Sequence, residues 1–134
     1  MLLSRMVGTP ERGTLMASAI RTANTSTGTI NWAGFKAVVL FLNTTAASGT
    51  GGLMISVEYL DPVSGAWNRN WNDPVARITS TGLRVTSFGP GFGVQAQGNF
   101  QAGVAAIPLG SAMRIQITHG DASNYTYSLG YEAL

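Results

Sequence analysis

The sequence contains no cysteine among its 134 residues, which excludes disulfide bonds and thiolate metal sites. It also lacks a long hydrophobic run: residues 37–42 form the longest, far short of the roughly 20 apolar residues that span a bilayer. Near the N-terminus, Arg5 is followed by no continuous apolar stretch, so we expect no signal peptide. We therefore expect a protein that is made in a cytoplasm and has no membrane partner.

Charge is scarce as well. Charged residues make up 10% of the chain, whereas roughly 25% is usual in a soluble domain. A surface so poor in charge favours contact with other protein chains. The net charge is only +2, and the basic residues form no cluster interleaved with aromatics, so we expect no nucleic-acid partner. The basic residues are Arg5, Arg12, Arg21, Lys36, Arg69, Arg77, Arg84 and Arg114.

Residues that could carry out chemistry are few and badly placed for it. His119 is the only histidine, and Asp121 and Ser123 follow it in the same turn. A catalytic triad draws its members from separate elements, so we expect this Asp and Ser to bond the backbone of the turn instead. No metal, phosphate or cofactor motif occurs. We predict no catalytic, metal or cofactor-binding residues, and hence a protein that is not an enzyme.

Alternation of apolar and polar residues predicts β-strands along most of the chain. It is clearest at 53–59, 113–117 and 125–131, weaker at 14–23 and 83–88, and 36–45 is apolar on both faces like a central strand. Turn residues such as Asp61-Pro62 separate the strands. We predict an all-β fold with little helix: an antiparallel β-sandwich of jelly-roll type.

Two segments lack periodicity. Residues 1–13 predict an N-terminal arm outside a single β-sandwich domain of residues 14–134, and residues 89–110 predict one long loop. Both are natural docking elements, although a flexible loop without a function has the same pattern.

Trp67 and Trp71 stand four residues apart, on one face of a strand or of a helical turn. Tryptophan and arginine are enriched at protein interfaces, but the two tryptophans also suit a core. The candidate partner-binding residues are Leu2, Leu3, Arg5, Met6, Trp67, Arg69, Trp71, Phe92 and Phe100.

Six segments read in order give a further indication: Thr14-Leu15, 18–23, 44–50, 61–65, 114–121 and 125–128. Together they resemble small structural proteins from the virions of tailed bacteriophages. The resemblance implies a capsid decoration, or cement, protein on the capsid surface, with the major capsid protein as partner and self-association into a homo-oligomer. A tail, baseplate or fibre component is the first alternative. A carbohydrate-binding β-sandwich that uses Trp67 and Trp71 is the second.

Overall fold

The computed structural model describes residues 9–73, 76–90 and 102–134, and these contain nine β-strands and no helix. The strands are β1 (Glu11–Arg21), β2 (Thr25–Ser26), β3 (Val38–Ala47), β4 (Leu53–Leu60), β5 (Trp67–Asn72), β6 (Gly82–Phe88), β7 (Ala102–Ala105), β8 (Met113–His119) and β9 (Tyr125–Ala133). In the described part of the chain, no helix is long and apolar enough to cross a membrane.

The strands form two sheets. Sheet I has the order β1-β9-β3-β6-β7, and sheet II has the order β2-β8-β4-β5. Every pairing is antiparallel except that of β6 with β7, which is parallel. The predicted antiparallel β-sandwich is confirmed.

The core lies between the sheets and is built by the predicted alternation. One core cluster contains Ile115 and Ile117 of β8 together with Tyr127 and Leu129 of β9, and all four side chains are fully buried. Their sequence neighbours are less buried, as expected for strands with one covered face. Each fully buried apolar side chain contributes roughly 1.5–3 kcal/mol to the free energy of unfolding, so these rows hold the sheets together.

Strand β3 lies in the middle of sheet I, as the sequence predicts for a central strand. Its inner side chains, such as Leu40 and Leu42, are fully buried. Val39 and Phe41 point to the other side, where Phe41 keeps 36% of its surface exposed. The strand is apolar on both faces although the described residues bury only one of them completely.

The structure moves the boundaries of the two aperiodic segments. Glu11 already pairs with Ala133, so residues 11–13 belong to β1 and not to an arm, because β9 provides a partner for their backbone. The predicted loop contains β7, which runs along β6. Residues 1–8 and 91–101 of these two segments lie outside the described residues.

One end of the sandwich is closed by Asp121. Its carboxylate accepts hydrogen bonds from the backbone N–H of Gly51 at 2.7 Å and of Ser123 at 3.2 Å, and from the Tyr125 hydroxyl at 3.1 Å. The Gly52 N–H donates to that hydroxyl at 2.9 Å. The loops approach so closely that a Cβ at Gly120 would lie 2.2 Å from the Gly51 carbonyl oxygen. The expectation that Asp121 bonds turn backbone is confirmed, and its bonds also join two loops.

We expect Tyr125→Phe to lower the free energy of unfolding by about 1–3 kcal/mol, because it leaves the buried Gly52 N–H without an acceptor. Tyr131→Phe is the matched control. It removes a 2.7 Å hydrogen bond to Glu11 that is exposed to solvent, so we expect a loss under about 1 kcal/mol. Urea denaturation measures both losses. Equal losses would show that the buried hydrogen bond from Gly52 to Tyr125 stabilises the fold no more than an exposed one does.

Candidate functional site

The outer face of sheet II carries the first group of candidate residues. Trp67 lies opposite Leu60 on β4, and the Arg114 guanidinium sits 4.5 Å from the centre of its indole ring. The same guanidinium donates to Glu58 at 2.6 Å. Glu58 is only 6% exposed, so this ion pair is shielded from solvent. Trp67 is therefore half-covered by a neighbour on its own sheet.

Neighbouring side chains on this face are bonded to one another as well. Arg69 donates to Gln116 at 3.1 Å, and the Ser56 hydroxyl donates to Asn72 at 2.7 Å. The outer face of sheet II is thus polar, with its charges and amides engaged within the sheet. It offers few unsatisfied groups to a ligand.

Trp71 lies on the opposite side of β5 from Trp67. The pairing of β5 with β4 shifts register between Arg69 and Trp71, which leaves Asn70 as an extra residue. One extra residue reverses the face to which the following side chain points. Trp71 packs against the buried core instead of standing beside Trp67. The expectation that both rings share one face is wrong, and a two-ring platform for a sugar does not form.

His119 is the last residue of β8, as expected for a strand end, but its ring is packed between two tyrosines. The ring centroid is 5.5 Å from that of Tyr125 and 5.7 Å from that of Tyr127. Its Nε2 lies 2.9 Å from the Tyr127 hydroxyl oxygen. The Arg21 guanidinium lies over the Tyr127 ring, 4.6 Å from its centre, and donates to the Tyr127 carbonyl at 2.6 Å.

This arrangement is structural in character. Burial lowers the pKa of the His119 imidazole below its ordinary 6.5, against the opposing effect of the Asp121 charge. Burial also raises the pKa of the Tyr127 phenol. The imidazole and the phenol form a hydrogen-bonded pair, while Ser123 bonds Asp121 through its backbone N–H and through its side chain.

A hollow of about 310 Å³ lies under residues 76–84, between β5 and β6. Arg84 lines it, but its guanidinium donates to the Ala76 carbonyl at 2.7 Å and lies 3.5 Å from Asp73. The Thr86 hydroxyl donates to the same carboxylate at 2.7 Å. The hollow is lined by no histidine or carboxylate, and the described residues contain no group of three potential metal ligands.

The remaining candidates are Leu2, Leu3, Arg5, Met6, Phe92 and Phe100, and all six lie outside the described residues. The structure does locate the places where their segments join the sandwich. One row of paired residues crosses the whole of sheet I at a single end: Glu11, Ala133, Val38, Phe88 and Ala105.

Both segments therefore begin at the same end of the sheet. The N-terminal segment leads into β1 at Glu11, and residues 89–90 leave β6 just after Phe88. Three strand spacings of roughly 4.8 Å separate these two points, a distance of about 14 Å.

Sequence reasoning overlooked the outer face of sheet I. Five large hydrophobic side chains in the described residues are exposed, and Ile20, Phe41 and Leu83 all lie on this face. The signal was present in 36–45, whose apolar residues occupy both faces of a strand. A strand buried on both sides and a strand with one face for a partner have the same sequence pattern.

No family model matches this chain, and comparisons with curated proteins and with solved structures found no match.

The lowered pKa of His119 makes stability depend on pH. Below 6.5 the unfolded chain binds a proton that the folded chain does not, so acidification favours unfolding. We expect the free energy of unfolding to fall between about pH 7.5 and about pH 5, and His119→Gln to remove most of that fall.

Urea titrations of both proteins at the two pH values measure the difference. Backbone N–H groups bond the carboxylates of Asp61 and Asp121 and hold their pKa values below 3.8. These two residues therefore change the free energy of unfolding only in stronger acid. An identical pH dependence in His119→Gln would contradict the assignment.

Proposed function

We propose that this chain is a structural protein of a tailed-bacteriophage virion, a capsid decoration protein that binds and stabilises the assembled shell of major capsid protein. It acts by binding other chains and not by catalysis. The proposal draws on the resemblance of six sequence segments to such proteins and on the scarcity of charge, 10% of residues.

The observation that carries the proposal is the strand order. Leaving out β7, sheet I reads β1-β9-β3-β6 and sheet II reads β2-β8-β4-β5. From β1 to β4, successive strands alternate between the two sheets. Strand β8 then lies between β2 and β4, and β9 lies between β1 and β3. Two interlocked Greek keys of this kind make a jelly roll, an architecture that viral capsid proteins share with lectins and cupins. We therefore include the jelly-roll assignment in the proposal.

The mechanism is thermodynamic linkage. A protein that binds only the assembled shell lowers the free energy of that state and leaves the free subunits unaffected. The N-terminal segment and the segment after β6 supply the contact, since both join the same end of sheet I. Few charges are available, so apolar burial and backbone hydrogen bonds provide the affinity.

The location of the protein in the virion tests the proposal. A cryo-electron microscopy map of the phage that encodes this chain should show it on the outer surface of the head. Density on the tail, baseplate or fibres would support the first alternative function instead. Absence from the particle would overturn both. The carbohydrate-binding alternative loses its main support because Trp67 and Trp71 face opposite ways.

The N-terminal contact should be apolar. We expect replacement of Leu2, Leu3 and Met6 by serine to lower occupancy on purified heads. Raising the salt to about 1 M, where charges interact over only ~3 Å, should release little bound protein. Occupancy is measured by sedimenting the heads and quantifying the bound chain.

Deleting residues 1–8 gives a second variant, which leaves β1 complete because that strand begins at Glu11. Circular dichroism should show it folded, and its occupancy should fall as in the serine variant. Val63→Ser is the control, since Val63 is 94% exposed in the turn after β4 and lies outside both segments. Full occupancy of the truncated protein, or release by salt alone, would contradict this account of the contact.

A further inference from the structure

In the described residues, the outer face of sheet I differs from that of sheet II in carrying several exposed apolar side chains. Its apolar members are Val39 and Phe41 on β3, Leu83 and Val85 on β6, and Ile20 on β1. Leu83 is 52% exposed and Ile20 is 68% exposed. We propose that this face binds the same face of a second copy of the chain, which makes the protein a two-fold symmetric dimer.

The face is nearly neutral, which suits a copy of itself. Between the apolar side chains lie Thr14, Asn43, Ser87, Thr126 and Ser128, none of them charged. In the described residues of this face, the charged pair is Arg12 and Glu132, and these two neutralise each other in an ion pair at one corner. The ion pair with Arg12 neutralises the Glu132 charge that the same face of a second copy would meet. A partner selected by charge would find little to recognise.

The shape of this face is complementary to itself. Phe41 on β3 stands directly beside Gly130 on the neighbouring strand β9. A Cβ built at Gly130 would have, among the described residues, a single heavy atom within 4 Å, the Gly13 carbonyl oxygen at 3.6 Å. The Phe41 ring therefore leaves the space above Gly130 open. One projecting ring and one hollow lie side by side, about 4.8 Å apart.

Two-fold symmetry places each ring in the partner's hollow. An axis parallel to the strands and midway between β3 and β9 exchanges the positions of these two strands in the facing copy. Phe41 of each copy then lies over Gly130 of the other, and β6 lies over the partner's β1. The strands of the two sheets run nearly parallel to the axis, which is the usual alignment of packed sheets.

The area of the face limits the size of the dimer interface. Four strands spaced ~4.8 Å apart and a length of about 24 Å give roughly 450 Å² for each copy. The total of about 900 Å² is near the lower limit of ~1,000 Å² for specific interfaces. We expect a reversible dimer that forms at chain concentrations of roughly 0.1 mM and becomes stronger where copies are concentrated.

The inference deepens the homo-oligomer part of the proposed function, but its test needs no virion. Sedimentation equilibrium on the full chain measures the dimer constant for wild type and two variants. Phe41→Glu removes the projecting ring and should weaken the dimer by roughly 30-fold or more, the effect of losing an aromatic hot spot. Gly130→Val fills the hollow at a site with space for its side chain and should weaken it likewise.

The control is Val63→Glu, which adds the same charge at an apolar position that is 94% exposed and away from sheet I. It should dimerise as the wild type does. A wild type that stays monomeric at about 1 mM, well above the expected dissociation constant, would overturn the inference, as would full dimerisation of both face variants. Neither result would contradict the proposed binding to heads, because that contact uses the segments at one end of sheet I and not its outer face.

Discussion

Apolar burial between the two sheets is the interaction on which the rest of this molecule depends, and β9 carries the largest share of it. This strand pairs with β1 on one side and β3 on the other. Its inner side chains Tyr125, Tyr127 and Leu129 are fully buried. The first two also anchor polar contacts, with Asp121 and with His119. A single alternating strand thus fixes the core, the closed end and the position of the lone histidine.

Much of the fold could be predicted because burial on one face imposes a period of two on the sequence. The alternation in 113–117 and 125–131 indicated both the strands and the residues that face inward. Strands β2 and β7 escaped prediction for the opposite reason: two and four residues are too short to show a period. Their pairing depends on neighbouring strands and not on their own side chains.

The candidate site could be predicted less well, and Asn70 illustrates the cause. A single extra residue in β5 turns Trp71 toward the core and leaves Trp67 outside. Spacing in sequence does not reveal whether a strand is bulged, so it cannot assign faces beyond a bulge. The apolar outer face of sheet I was missed because a sequence shows that a residue is apolar but not what covers it.

The shape of β1 has a consequence for how copies of this protein can meet. This strand is an edge of sheet I and is long enough to template further strands, a route to open-ended fibres. Two register shifts interrupt its pairing with β9, and the Arg21 guanidinium donates a hydrogen bond to the Ala17 carbonyl at 2.7 Å. Both features obstruct the addition of another strand. They therefore oppose open-ended growth along this edge, a protection that matters for a chain in which only 10% of residues are charged.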